Sequence, residues 1–225
     1  MSEEVKNLVF FQNIVVFLSI GSGVLVFLVF VFQKQSKKFS MLKWSILPFI
    51  FSGFFIDLLL NLYSGKNTVT YFKSLYNIYT FLVALFLLLI FRQLPMESLF
   101  KKISTVVLGG FLIIFCAVSL FTRSISFENS YYDVFLRFII LFFVLYYFFW
   151  KFNSVEMVPI TKESTFWFFT ALFIYFGIPL VVIVTQKYLG SVKPIALGYL
   201  WQIMNFSTVF FHLLIAKMLW IMKTE

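Results

Sequence analysis

The last long apolar run of the chain carries its only histidine, and Trp201, Asn205, Thr208 and His212 recur there at i, i+4, i+7 and i+11. At helical pitch that spacing draws one stripe down one face, a stripe expected to meet other helices. Imidazole titrates near neutral pH, so His212 could act as a proton sensor where water reaches it. A packed histidine bonded to a neighbouring helix is the simpler reading, because a single histidine seldom forms a site without partners. Lys217, a little further along, raises the question of Schiff-base chemistry, but its place near the end of the run fits a cation that snorkels to the interface.

Ionisable groups inside the other apolar runs carry more information. Each costs at least roughly 2.5 to 3.5 kcal/mol in hydrocarbon unless it finds a partner or a wet cavity. Asp57 and Asn61 stand one turn apart in one run, and Arg137 lies near the start of another. An Asp57–Arg137 ion pair is expected if the two helices are neighbours. Gln12, Asn13, Asn77 and Gln202 fall on the same side of the bilayer under the topology derived below, so the polar groups form a cluster. Such a cluster could line an outward-facing cavity for a small ligand or peptide. Polar helix ends that meet water explain it more simply.

Enzymatic signatures do not emerge. The chain has no HExxH, no GxSxG and no glycine-rich phosphate loop, and a Ser119–His212 pairing would be a guess. One cysteine, Cys116, allows neither an intramolecular disulfide nor a thiolate metal site, and no cofactor is called for.

The elements that position these residues follow from hydropathy. Hydrophobic residues are 62% of the chain and charged ones 12%, a balance that excludes a water-soluble fold. Seven runs each approach the roughly 20 apolar residues that cross a bilayer. They cover about Asn7–Phe32, Trp44–Tyr63, Tyr71–Phe91, Ile103–Phe121, Val134–Phe152, Phe166–Gln186 and Ile195–Trp220. The predicted fold is therefore all-α, a single seven-transmembrane-helix bundle over residues 1–225 with the lipid bilayer as its solvent. Gly109-Gly110 is expected to admit a neighbouring helix closely, and Pro179 to kink the sixth span. Acidic Glu3 and Glu4 precede the first run where a secretory signal would be basic, so that helix is expected to be retained.

The net charge of +9 belongs to topology and gives no reason to expect nucleic acid: the 18 Lys and Arg sit mainly at the ends of apolar runs. Lys34, Lys37, Lys38 and Lys43 surround the first connector, and if the spans alternate 11 of the 18 basic residues fall on that side and 7 on the other, the first connector supplying the difference. The N-terminus is then outside and the C-terminus cytoplasmic. The 35 Phe, 11 Tyr and 5 Trp suit lipid contact and membrane interfaces.

Four segments carry a family resemblance: Leu75-Tyr76-Asn77-Ile78-Tyr79-Thr80-Phe81, Val144-Leu145-Tyr146-Tyr147-Phe148, Phe166-Trp167-Phe168, and Leu200-Trp201-Gln202-Ile203-Met204-Asn205. Through them the chain resembles uncharacterised bacterial seven-helix membrane proteins often encoded beside, or fused to, sensor histidine kinases. Val83 stands where an acidic residue is expected after the Tyr-Thr pair. The resemblance implies a non-enzymatic sensory or regulatory protein of the bacterial inner membrane, acting through a partner such as a sensor kinase. An accessory or scaffold subunit of a multi-subunit membrane complex is the alternative. A small-solute transporter ranks behind both, since only the sixth span, with Gly177 and Pro179, offers a break.

Overall fold

The computed structural model describes residues 3–32, 40–63, 69–121, 130–154, 159–189 and 194–222, and a number of side chains near helix ends, 56–63 and 69–74 among them, lie outside the described residues. Among the described residues the chain is helical, with no strand: α1 (Glu3–Phe32), α2 (Ser40–Tyr63), α3 (Val69–Gln93), α4 (Ser98–Phe121), α5 (Ser130–Asn153), α6 (Ser164–Leu189) and α7 (Pro194–Met222), plus a 3₁₀ turn at Ile160–Lys162. Every helix begins before its predicted start. Hydropathy registers hydrocarbon, whereas the hydrogen-bonded backbone continues into polar residues at the ends.

Five stretches among the described residues are long and apolar enough to cross a membrane: Asn7–Phe32, Ser98–Leu120, Tyr132–Asn153, Ser164–Thr185 and Gly198–Met222. The described parts of α2 and α3 give shorter apolar stretches, Trp44–Phe55 and Asn77–Gln93. Large apolar side chains such as Phe17, Phe32, Phe149 and Phe152 stand exposed on these helices. A surface of this kind fits lipid and would aggregate in water. The chain is a helical multi-pass membrane protein.

The contacts divide the chain into two compact units, Met1–Ser36 with Ile140–Glu225, and Lys37–Ile139, so that α5 contributes to both. In the second unit, α3 and α4 form an antiparallel hairpin. Phe91 and Phe100 meet at its closed end with ring centroids 5.5 Å apart, and Phe81 and Phe115 meet further along at 5.9 Å. Leu94-Pro95-Met96-Glu97 makes the turn: the Met96 N–H bonds the Leu94 carbonyl at 2.8 Å, and the Glu97 carbonyl accepts from the Lys101 N–H at 3.2 Å, opening α4. Pro95 cannot continue α3, which accounts for the stop. On the other flank of α3, Gln93 Nε2 donates to Ser45 Oγ of α2 at 2.8 Å.

In the first unit, α6 lies antiparallel to both α5 and α7. Tyr147 stacks on Phe169 with centroids 4.0 Å apart, Tyr175 meets Phe211 at 4.5 Å, and Lys217 Nζ lies 6.0 Å from the Trp167 ring. By contrast α1 runs parallel to α7: Leu8 packs at Gly198, Phe11 at Phe206 and Ser22 at His212, in rising order on both helices. The close helix approach expected at Gly109-Gly110 occurs elsewhere. A Cβ built at either glycine meets nothing within 4 Å, whereas one at Gly198 would stand 2.5 Å from Leu8 Cδ2. Small residues permit approach without causing it, and here the neighbour is at Gly198. α6 continues unbroken through Pro179, as α2 does through Pro48.

Candidate functional site: polar pairs buried inside apolar helices

The seam between α1 and α7 holds the sole histidine. His212 is 3% exposed, and its Nδ1 lies 3.0 Å from Ser22 Oγ on α1. Ser22 Oγ also donates to the Ser19 carbonyl one turn earlier, at 2.8 Å. Ser22 Oγ thus bonds within its own helix and across the seam, and the tautomer of the ring sets which group donates across it. The pair is built as an interhelical tie.

Further along the same helix Gln202 is 4% exposed, and its Oε1 has no hydrogen-bond partner among the described residues. The predicted stripe that runs through His212 is not uniformly inward. Trp201 is exposed, Asn205 and Thr208 are half-buried, and His212 is buried. Helices that cross at an angle contact along a line that rotates around each axis, so a fixed stripe turns outward toward one end. Ser19 and Ser22 were missed by the sequence reading, although Ser19-Ile20-Gly21-Ser22-Gly23 interrupts a run of bulky residues with small and hydroxyl groups, the composition of a helix contact.

The second unit buries a charge pair. Arg137 Nε meets Asp133 Oδ2 at 2.7 Å, one turn apart on α5, with both side chains almost wholly buried. Asp133 lies one residue before the apolar run that starts at Val134, so hydropathy alone does not mark it as a partner. It lies in the first turn of α5, where a carboxylate also meets the favourable end of the helix dipole. The expected Asp57–Arg137 pair falls outside the described residues, as do the side chains of Asp57 and Asn61. Asn77 and Thr80 on α3 are buried, each with bonding partners of its own. Gln12 and Asn13, by contrast, stand exposed on α1.

A third group ties the ends of α5 and α6. Lys151 Nζ meets Glu163 Oε1 at 2.6 Å and lies 5.8 Å from the Trp150 ring, while Trp167 Nε1 donates to the Thr161 carbonyl at 2.8 Å. Tyr147 and Thr165 hydroxyls approach to 3.4 Å. Indole and ammonium groups at helix ends, each with a polar partner, form an interfacial belt.

Two further expectations find their places. Ser119 Oγ donates to the Phe115 carbonyl within its own helix at 2.8 Å, and Cys116 is exposed. Among the described residues no three His, Cys, Asp or Glu side chains gather as a metal-binding set. These pairs hold helices together and neutralise charge. Comparisons with protein-family models, with curated proteins and with solved structures give no match.

Proposed function

We propose that this chain is a seven-span protein of the bacterial inner membrane, N-terminus outside and C-terminus cytoplasmic, that serves as a non-enzymatic sensory or regulatory component acting through a partner membrane protein. The observation that carries the partner is the exposure of Gln12 and Asn13 within the span Asn7–Phe32. They sit about 7 to 9 Å past its first residue at helical rise. Amide side chains facing lipid at that depth gain most from hydrogen bonds to another helix. Ser22 with His212 and Asp133 with Arg137 already have partners, whereas the buried Gln202 Oε1 on α7 has none among the described residues. The unbroken course of α6 weighs against a transporter built on discontinuous helices.

The test is a mild-detergent pull-down from the native membrane, comparing the natural chain with a Gln12→Leu/Asn13→Leu variant. Leucine keeps the span apolar, so the variant should insert normally. A stoichiometric partner lost from the variant supports the reading. Equal recovery from both, or no partner at all, removes it. A kinase among the recovered proteins favours the sensory role, and a secretion, motility or transport assembly favours the accessory-subunit alternative.

A further inference from the structure

The turn between α3 and α4 gathers three cations around one cavity. Arg92 in the last turn of α3, together with Lys101 and Lys102 in the early turns of α4, lines an open pocket of about 430 Å³ with Thr105 and Val106. The walls are held in place by the Phe91–Phe100 ring contact and by the turn hydrogen bonds at Leu94–Glu97. Lys101 is half-buried, and Arg92 and Lys102 are exposed. None of the three makes an ion pair with a carboxylate among the described residues.

The helix dipole favours Arg92 at the C-terminal end of α3 but not the two lysines. Lysines near a helix N-terminus oppose the dipole, which favours anions there. Three like charges about one pocket repel each other as well, and a bound anion relieves both terms. We infer that this pocket holds the phosphate of an anionic phospholipid, with an acyl chain lying along α4.

The apolar wall selects a lipid over a free anion. Val106 borders the cations and is 74% exposed, and Ile113 and Leu120 follow it at 71% and 78%. Those positions are i, i+7 and i+14, one stripe about 21 Å long at helical rise, more than the roughly 15 Å depth of one leaflet. Gly109 and Gly110 beside the stripe leave open space, with nothing within 4 Å of a Cβ built there, so a chain can lie close to the helix. Inorganic phosphate would gain nothing from this wall. Thr105 Oγ1 gives its proton to the Lys101 carbonyl at 2.6 Å, which leaves ammonium and guanidinium groups as the donors, the chemistry of a headgroup layer. The proposed topology puts this end at the cytoplasmic leaflet; the site itself does not depend on which leaflet it faces.

Native mass spectrometry of the purified full chain, titrated with phosphatidylglycerol or with phosphatidylcholine, tests the inference without any partner protein. The expected result is retention of phosphatidylglycerol over phosphatidylcholine. An Arg92→Gln/Lys101→Gln/Lys102→Gln variant should lose retention on the order of a hundredfold, the combined effect of removing three cations at an anionic surface. Lys162→Gln, which removes an exposed cation elsewhere, should leave retention unchanged. Val106→Asp keeps all three cations and should weaken retention by itself, which guards against a triple variant that fails to fold. Equal retention by the triple variant, an equal loss in Lys162→Gln, no effect of Val106→Asp, or displacement of the lipid by millimolar inorganic phosphate would each overturn the assignment.

Discussion

Ser22 Oγ bonds the Ser19 carbonyl within its own helix and meets the His212 imidazole across the seam, a contact that fixes α1 against α7 whichever group donates. Interhelical hydrogen bonds in membranes average about 0.6 kcal/mol and reach about 1.7 at most, because the separated helices find other partners. A double-mutant cycle with Ser22→Ala and His212→Leu, read by thermal unfolding in detergent, should return a coupling within that range. A coupling indistinguishable from zero would show that the two groups are neighbours without being a tie. The charge pair on α5 teaches the same economy. Asp133 and Arg137 satisfy each other one turn apart, so neither needs water to enter the helix.

At the scale of elements, the fit between α1 and α7 turns on one missing side chain. Gly198 lets Leu8 approach to a distance at which any Cβ would collide, the nearest atom being a methyl at the end of a flexible side chain. Alanine there should therefore cost less than 1 kcal/mol, since Leu8 can turn aside, whereas Gly198→Leu should cost about 1 to 3 kcal/mol as overpacking separates the helices. Adding Leu8→Ala to Gly198→Leu should recover much of that loss in the same unfolding assay. No recovery would mean that the two helices are not held at this crossing.

Much of the element scale was legible in the sequence. Seven apolar runs announced the seven helices, because the bilayer demands length and hydrophobicity together. The helix starts were less legible, since Lys101, Lys102 and Asp133 are helical yet polar and carry no hydropathic signal. Side-chain partners were least legible of all. The i, i+4 relation of Asp133 to Arg137 was available once the helix was extended by one turn, but the meeting of Ser22 with His212 depends on which helices adjoin. No periodicity within a helix reveals its neighbour.

For the whole molecule, direction is the strongest constraint. α1 and α7 run parallel; if both cross, as the proposed topology has it, the number of crossings is odd. That supports termini on opposite sides, as the basic first connector suggested. Five stretches qualify as spans among the described residues, and α2 and α3, at 24 and 25 residues, either both cross or both do not. Helices of that length reach about 36 Å, beyond the roughly 30 Å of hydrocarbon, the length the proposed seven-span arrangement requires. The lone cysteine makes the choice measurable: in a Cys116→Ala background, new thiols placed one at a time at Ser2, Ser36, Ser64 and Thr224 can be challenged with a membrane-impermeant maleimide on intact cells whose outer membrane has been opened. Seven spans with the N-terminus outside predict labelling of Ser2→Cys and Ser64→Cys, and protection of Ser36→Cys and Thr224→Cys until the inner membrane is permeabilised. Protection at Ser64→Cys with labelling at Ser2→Cys would reduce the count to five. Inversion of all four would keep the helices and reverse their direction, placing the cations of the α3–α4 turn on the outer face.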